Sequence, residues 1–378
     1  MAIAGGVLLA AAPLWRTHAV PALVKFPTDV DITPRYAGTF LLFVDPATTA
    51  PLAEPATRTL AVDRRIQAIG NESSSERVVV REDIAYDIEG FAPASAVHQY
   101  VMDRRTSANV ADTRAWAFEP ANTLNRSGDF WVAFPKDVHA SSAVEMYKDE
   151  IAGTFTATAT GATAEVRGLQ LYEFAAGEEI VPVTEAYLRS LDAVVPLPRS
   201  LSFEQLTPSL EAAGVPVQAT LDTLLRVATP EDLATLVSLV GEPIDLEYVV
   251  SFSGSTYVEP RTGAITDVAQ VVERISARPS AEALPPLLTI LDRYRAEPDI
   301  AAAIAAIDRL AGEPLPVFEY RYAQTDDSVD EVAAWVDDQR GLLDLAERVV
   351  PLALTVAGGA ALALAAILLF RSRRSAVT

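Results

Sequence analysis

The C-terminal region contains a long run of apolar residues. Val349 to Phe370 is 22 residues without a charge, and three arginines, Arg371, Arg373 and Arg374, follow directly. At about 1.5 Å per residue, such a helix spans roughly 33 Å, enough to cross a hydrocarbon core of about 30 Å. Basic residues favour the cytoplasmic side of a membrane helix. The pattern therefore predicts a transmembrane helix whose arginine-rich end lies inside the cell.

A second, shorter apolar run lies at the N-terminus. Ala2 to Trp15 is uncharged and ends at Arg16; as a helix it would span about 21 Å. One interpretation is a signal peptide, because Ala10 to Ala12 provides the small residues of a cleavage site. We favour a membrane anchor whose first residues are absent because the start codon lies further upstream. Both termini would then be cytoplasmic, with the residues between the two helices outside.

Between these runs the pattern changes from strand-like to helix-like spacing. Residues about 36 to 180 are rich in β-branched and aromatic residues separated by turn residues, which is typical of strands. Residues about 196 to 245 and 267 to 313 have apolar positions at helical spacing. We therefore expect an α+β fold, in which a β-rich antiparallel domain outside the membrane carries an inserted helical cap and has a transmembrane helix at each end.

Domain boundaries follow from the same changes. The two helical insertions flank one strand pair, so we expect them to pack together as a single bundle. Seven side chains would share its core: Leu233, Leu236, Val237, Leu287, Leu291, Ile300 and Ile304. The predicted segments are an N-terminal membrane anchor (1–17), a β-rich outer domain (18–195), a first helical insertion (196–245), a β-hairpin that returns to the sheet (246–266), a second helical insertion (267–315), a final strand and juxtamembrane helix (316–348), the transmembrane helix (349–370) and a basic cytoplasmic tail (371–378).

Charge and cysteine content exclude several classes of partner and site. Without the three C-terminal arginines, the chain has 27 basic and 51 acidic residues, a net charge of −24. This charge argues against nucleic acid and against a surface attracted to anionic lipids. The absence of cysteine excludes disulfides, cysteine–zinc sites and thiol catalysis. A disulfide-free outer domain suits a bacterial envelope. The whole chain has 27 arginines and only three lysines, Lys25, Lys136 and Lys148, a bias that suits a high-GC bacterium.

The sequence predicts no catalytic, cofactor-binding or metal-binding residue. Its three histidines, His18, His98 and His139, form no HExxH pair, and the chain contains neither a G-x-S-x-G elbow nor a glycine-rich phosphate loop. We therefore expect a protein that is not an enzyme.

Three weaker candidate sites each have a structural alternative. His98 with Tyr100 would form a polar site, but a strand with a charged end is the favoured interpretation. Lys136 and His139 would present cations to an anion, but a plain turn is favoured. Four acidic residues would hold calcium, but a helix with a capping box from Ser328 to Glu331 is favoured. The acidic residues are Asp326, Asp327, Asp330 and Glu331.

A short internal repeat links distant parts of the strand-rich region. Phe43–Ala50 matches Tyr257–Ala264 without a gap, in an aromatic–valine–acid–proline pattern followed by threonine. Tyr100–Thr106 resembles a third copy that is one residue longer and lacks the proline. Proline followed by threonine or glycine favours a chain reversal. Each copy is predicted to be a strand end followed by a turn, as expected of a duplicated β-unit.

Nine segments along the chain share features with one family: Ala12–Leu14, Tyr36–Thr39, Val44–Pro46, His98–Thr106, Asn125–Gly128, Phe134–Asp137, Gly168–Tyr172, Val258–Ala264 and the terminal helix. Together they resemble the actinobacterial porin-PorA-like family, whose members are two-anchor envelope proteins. The resemblance covers roughly 270 residues and implies topology more than mechanism, because the family's function is poorly defined. A weaker, architectural similarity links the plan to class B scavenger receptors, which conduct lipids through a tunnel.

These observations predict a membrane-anchored envelope protein whose outer domain binds or transfers lipid or another apolar ligand. The alternatives are a scaffold or receptor for a protein or glycan, and an oligomeric pore component. Expected partners are membrane lipids with an apolar ligand or an envelope protein, without a cofactor. The sequence leaves the ligand and the oligomeric state open.

Overall fold

A computed structural model describes residues 2–23, 25–192 and 194–375. Within these residues, thirteen antiparallel strands form one large sheet, which confirms the predicted α+β class with a large antiparallel sheet. The strands are β1 (Asp31–Ile32), β2 (Arg35–Val44), β3 (Pro51–Ala68), β4 (Arg77–Ile88), β5 (Ala94–Asp103), β6 (Trp116–Ala117), β7 (Ala143–Lys148), β8 (Gly153–Val166), β9 (Leu169–Pro182), β10 (Ser200–Leu201), β11 (Ile244–Val258), β12 (Ile265–Pro279) and β13 (Leu315–Gln324).

Helices lie at the two chain ends and in the insertions around β11 and β12. Local signals set several of their starts: Ser202 and Gln205 form a capping box, and Thr229 caps a helix that begins at Pro230. The helices are α1 (Ala2–Leu14), α2 (Val20–Leu23), α3 (Glu185–Leu191), α4 (Phe203–Ala212), α5 (Val217–Val227), α6 (Pro230–Gly241), α7 (Leu284–Arg293), α8 (Pro298–Gly312), α9 (Asp326–Asp344) and α10 (Val350–Ser375).

The sheet curls until its two edges approach each other. Eleven of its strands follow the order β6-β5-β4-β3-β2-β13-β12-β11-β9-β8-β7, and the two short strands β1 and β10 pair with β3 and β11, respectively. Asp149, directly after edge strand β7, accepts a hydrogen bond of 2.9 Å from the hydroxyl of Tyr100 on β5. Phe130, in the loop between β6 and β7, forms a bridge with Met146 of β7. One face of the sheet therefore encloses an interior.

The interior is filled at the end that lies away from α10. Helix α3 contributes Tyr187, Leu188 and Leu191 to a buried cluster that includes Phe40 and Phe318. The rings of Phe40 and Phe318 are 5.4 Å apart. Apolar burial of this kind is the main favourable term in folding. Within the described residues, this core closes the distal end of the interior.

Strands β11 and β12 connect the two ends of the molecule. Each has 15 residues, which at 3.2–3.4 Å per residue corresponds to about 50 Å. Their hairpin turn lies beside the C-terminal helix, where Arg261 Nη2 is 2.8 Å from Glu347 Oε2. Their opposite ends, Ile244 and Pro279, reach the helical cap. The cap therefore lies at the end of the sheet opposite α10.

The prediction that a helical insertion begins at residue 267 is wrong. Residues Ile265–Pro279 form strand β12, and the helix of that insertion begins only at Leu284. A bulge interrupts the pairing, because Ser255 pairs with Gln270 whereas Thr256 pairs with Val268. The extra residue breaks the alternation of a strand. It leaves Val268, Val271, Val272 and Ile275 at the i, i+3, i+4, i+7 spacing of a helix.

The helical cap is one bundle, as the sequence predicted. Leu236, Leu291, Ile300 and Ile304 are buried in a shared cluster, with Leu233 and Leu287 packed against it. Val237 was placed in this core incorrectly, because its side chain is 74% exposed. It lies on the solvent side of α6.

The internal repeat corresponds to one turn geometry that occurs three times. Each turn begins with an acidic residue, which is Asp45, Asp103 or Glu259. Its carboxylate accepts a hydrogen bond from the backbone N–H of the threonine three positions later. Its backbone N–H donates to the alanine carbonyl five positions later. The residue between them is left-handed: Thr49 (φ 60°), Ser107 (φ 64°) and Gly263 (φ 72°). The third copy therefore has the same turn length, although the alignment made it longer.

One described helix is long and apolar enough to cross a membrane. It runs from α9 into α10, and its apolar part coincides with the predicted C-terminal span. The N-terminal helical segment does not add a second candidate among the described residues. It packs along α10, and Trp15 Nε1 donates a hydrogen bond of 2.8 Å to the carbonyl of Ala346.

Candidate functional site

The curled sheet encloses a cavity of about 120 Å³, here called the inner chamber. Residues from nine strands and two loops line it, and most of them are aromatic or aliphatic. The rings of Phe155 and Phe252, for example, are 5.1 Å apart. Alternate residues of a strand share one face, so the curl brings together residues that are far apart in sequence.

Lys148 is the charged centre of the inner chamber. Its Nζ lies 3.1 Å from Glu273 Oε1 and 3.4 Å from Glu150 Oε2. Burial opposes the charge of Lys148, but the two carboxylates outweigh it and raise its pKa above the ordinary value. Burial raises the pKa of Glu273 as well. Two carboxylates thus share one ammonium group, so Lys148 is neutralised within the protein.

A cluster around Asp149 joins the two edges of the sheet. Asp149 accepts hydrogen bonds from Tyr100 (2.9 Å) and from Nε of Arg126 (2.7 Å), and it lies 2.7 Å from His98 Nδ1. All four side chains are buried. Burial opposes ionisation of Asp149, but His98 and Arg126 outweigh it and lower its pKa. This arrangement, here called the Asp149 cluster, keeps the edges together with buried, paired charges.

Arg64 lies at the boundary between the inner chamber and a second cavity. It forms an ion pair with Glu82, whose other oxygen accepts a hydrogen bond from Trp131 (3.2 Å) and lies 2.8 Å from the Tyr100 hydroxyl. Arg64, Tyr36 and Ile265 line both cavities. The Nη2 atom of Arg64 is buried without a hydrogen-bond partner among the described residues. The boundary therefore contains a cationic N–H donor that the described side chains leave unused.

The second cavity, the membrane-end chamber, has a volume of about 110 Å³ and lies next to the C-terminal helix. Leu342 and Leu343, in the last turn of α9, form part of its wall. Lys25 and Lys136 also line it, so all three lysines of the chain border one of the two interior chambers. Burial lowers the pKa of Lys136, which indicates that its ammonium group has lost part of its hydration.

The helical cap encloses a third and larger space, the cap cavity, of about 290 Å³. Of its 21 lining residues, 19 are apolar, and the other two are Thr220 and Arg278. Nε of Arg278 donates a 2.7 Å hydrogen bond to Glu247. The lining comes from helices α4 to α8 and from the ends of β11 and β12. The cap cavity is thus an apolar space between the helices and the sheet.

The candidates from the sequence lie in different places. His98 and Tyr100, which were assigned to an ordinary strand end, belong to the Asp149 cluster. Lys136 lines the membrane-end chamber, whereas His139 is exposed. The three topology arginines, Arg371, Arg373 and Arg374, lie in the last part of α10, and their role remains a prediction.

The predicted capping box from Ser328 to Glu331 is wrong. Helix α9 begins at Asp326 after Thr325, so Ser328 is already inside the helix. The hydroxyl of Ser328 is buried and accepts a hydrogen bond of 2.9 Å from the backbone N–H of Arg35. Glu331 forms a 2.8 Å ion pair with Arg35. The two residues therefore connect α9 to the start of β2.

Sequence reasoning missed Glu82, Arg126, Asp149 and Glu273. A signal exists for Glu82, because it shares a strand face with the apolar residues Val80 and Ile84. A carboxylate on such a face has to be buried and paired. Arg126 and Asp149 lie in loops, where the sequence has no periodicity that would reveal burial.

Comparison with known proteins gives one family. The family model described as Porin PorA matches residues 1–367 of this chain. No curated protein matches the sequence. The match covers nearly the whole chain and confirms the resemblance that the sequence segments indicated.

Proposed function

Because this chain belongs to the Porin PorA family, we propose that it is a non-enzymatic, membrane-anchored protein of the cell envelope whose outer domain binds lipid or another apolar ligand. The observation that carries this proposal is the cap cavity, with about 290 Å³ and 19 apolar residues among 21. Ligand pockets are typically concave, mostly apolar and roughly 300–1,000 Å³ in volume. The cap cavity is close to the lower end of this range.

An apolar space is a favourable environment for an apolar ligand, because removing apolar surface from water drives such binding. An apolar cavity of about 150 Å³ already binds benzene, and the cap cavity is nearly twice that size. An acyl chain or a similar apolar group is therefore a suitable ligand.

Uptake of a fluorescent fatty acid by the full-length protein in neutral detergent tests this proposal. We expect saturable uptake, and native mass spectrometry should detect a co-purified lipid. Ala303 lines the cap cavity and is 1% exposed. Ala303→Phe should fill the space and weaken uptake at least tenfold, which corresponds to about 1.4 kcal/mol.

A matched control separates filling of the cavity from a general effect of the new side chain. Val237 lies in the same cap but is 74% exposed and does not line the cavity. Val237→Phe should therefore leave uptake unchanged. Absence of saturable uptake by the unmodified protein, with no retained lipid, would disprove the ligand hypothesis. A scaffold that binds a protein or glycan would then be the better explanation.

The proposed topology has two membrane passes with both termini in the cytoplasm. Its support is the packing of α1 along α10 and the bond from Trp15 to Ala346, which place the N-terminal segment beside the C-terminal helix. The arginines after Phe370 favour the cytoplasmic side. A reporter that fluoresces only in the cytoplasm, fused after Thr378, should be bright. A dark fusion at full expression would contradict this topology.

A pore made of several copies is the second candidate, because the family description contains the word porin. One helix cannot line a channel by itself, so this function would require an oligomer. Conductance measurements in planar bilayers distinguish the candidates. Reproducible conductance steps whose frequency increases with protein concentration would favour the pore, whereas the ligand proposal predicts no conductance steps.

A further inference from the structure

The three cavities differ in the charges of their walls. The inner chamber contains Arg64 and Lys148 but also Glu150 and Glu273. The cap cavity has one charged lining residue, Arg278, which is bonded to Glu247. The membrane-end chamber is lined by the cationic residues Lys25, Arg64 and Lys136, and no aspartate or glutamate occurs among its described lining residues. In a chain with 51 acidic residues, this wall thus presents cationic side chains, although Lys25 pairs with Glu76 and Arg64 pairs with Glu82, neither of which lines the chamber.

We propose that the membrane-end chamber binds the anionic head group of a membrane lipid, with Lys136 and the unpaired Nη2 of Arg64 as its cationic contacts. This goes beyond the proposed function because it assigns a second site, at the end opposite the cap, and a charge class for its ligand. It shares with the proposed function only the premise that the outer domain handles lipid.

Two independent features support an anion. The first is the buried N–H of Arg64 without a partner among the described residues, because a buried donor left unpaired is costly and calls for an acceptor. The second is Lys136, which lines the same chamber. Its pKa is lowered by burial. A bound phosphate or carboxylate would accept from Arg64 and lie next to the ammonium group of Lys136. Lys25, which pairs with Glu76 at 3.0 Å, adds a further positive charge to the wall.

The surroundings indicate that the anion belongs to a lipid. The wall includes the apolar side chains of Phe26, Val30, Trp335, Leu342 and Leu343. Leu342 is 60% exposed and lies just before the membrane helix. One water molecule needs about 10–15 Å³ of cavity volume. The chamber, with about 110 Å³, therefore has room for a lipid head group and its first methylene groups but not for whole acyl chains. The chains would extend along α9 towards the membrane.

The test compares two phospholipids with identical acyl chains. Full-length protein in neutral detergent is mixed with phosphatidylglycerol or phosphatidylcholine, and native mass spectrometry measures the retained lipid. We expect phosphatidylglycerol to bind at least tenfold more tightly. Lys136→Gln should reduce this preference roughly tenfold, because a hydrogen bond to a charged group is worth about that factor. Lys136→Arg should retain it. Equal binding of the two lipids by the unmodified protein would overturn the inference.

Control variants show where the lipid binds. Arg189→Gln removes a cation at an exposed ion pair with Glu119 and should leave the preference unchanged. If it lowers the preference as much as Lys136→Gln, the effect is one of overall charge and the site is refuted. Millimolar inorganic phosphate should fail to displace phosphatidylglycerol. Complete displacement would identify an anion site without lipid and would also refute the proposal.

The two proposals fail separately. Ala303→Phe, which fills the cap cavity, should leave the preference for phosphatidylglycerol intact. If the preference for phosphatidylglycerol depends on Lys136, the membrane-end site is supported. This holds even if Ala303→Phe leaves fatty acid uptake unchanged and the cap proposal fails. Loss of the preference in Ala303→Phe would show that the anionic lipid binds in the cap, which overturns the membrane-end site.

Discussion

The cap and the sheet enclose space in opposite ways. The cap surrounds its cavity with aliphatic side chains from five helices that are close in sequence. The sheet surrounds its chambers with residues from nine strands and places paired charges among them. Burial of apolar surface stabilises the cap without directional requirements, whereas each buried charge in the sheet needs a partner at the correct distance. The interior of the cap therefore has few directional contacts to satisfy, while charge pairs set the geometry of the sheet interior.

The charge of the interior chambers cannot be inferred from the net charge of the chain. A net charge of −24 outside the terminal arginines argues against attraction to anionic lipids over the outer surface. The membrane-end chamber nevertheless has three cations and no carboxylate among its described lining residues. Because screening limits the reach of distant surface charges to about 8–10 Å, the net charge of the outer surface does not determine the charge inside this chamber.

The largest effect should come from the Asp149 cluster. Arg126 is 1% exposed, pairs with Asp149 at 2.6 Å and donates to the carbonyls of Gln99 and Trp116. Arg126→Ala leaves Asp149 short of a partner and should lower the free energy of unfolding by about 3–5 kcal/mol. Urea unfolding followed by tryptophan fluorescence measures this, since all four tryptophans lie outside the cap insertions.

A surface pair provides the matched control for Arg126. Arg189 and Glu119 are 2.8 Å apart and about half exposed, so Arg189→Ala should cost at most about 1 kcal/mol. Equal costs for the two variants would contradict the idea that buried charges fix the sheet. Arg126→Ala should leave hydrogen exchange in the cap unchanged if the stability of the helical cap is independent of the charge pairs in the sheet.

A smaller effect is expected in the cap. Ile300 is fully buried in the cap core, and Ile300→Ala should reduce local stability by about 2–5 kcal/mol. Val237→Ala should stay within about 0.5 kcal/mol because the side chain is mostly exposed. Hydrogen exchange of α5 to α8 gives both values. Similar losses for the two variants would mean that the cap packs differently from the structure described here.

The sequence predicted the cap better than the sheet interior, and the reason is periodicity. Helical spacing is a local signal, so a bundle containing Leu236, Leu291 and Ile300 could be inferred before the structure was known. The exposed position of Val237 depends on how α6 rotates against its neighbours, which one helix does not reveal. Strand β12 was missed because its bulge produced helical spacing within a strand.

The candidate sites depended on contacts between distant residues, which spacing cannot supply. His98 and Asp149 are 51 positions apart in sequence, and only the curl of the sheet brings them within 2.7 Å. The membrane-end chamber combines Lys25, Arg64 and Lys136 from three separate segments. The resemblance to the family could be inferred from short motifs, but those motifs describe turns and strand ends rather than chamber walls.

The smallest expected effect concerns pH and separates the polar interior from the apolar cap most directly. Burial opposes protonation of His98, but the adjacent Asp149 and the charges of Glu82 and Glu150 outweigh it, so the pKa of His98 is raised above 6.5. The folded protein therefore holds this proton more tightly than the unfolded chain does. The stabilisation is fully present below about pH 6.5 and is lost as the pH rises through the higher, folded pKa. The difference in unfolding free energy between the wild type and His98→Gln, measured by urea unfolding from about pH 5 to 9, should thus shrink with rising pH. His139→Gln, at an exposed position, should follow the wild type throughout. A difference that stays constant or grows with pH would show that His98 is neutral in the folded protein, and Arg126 would then be the only charged partner of Asp149 in this cluster.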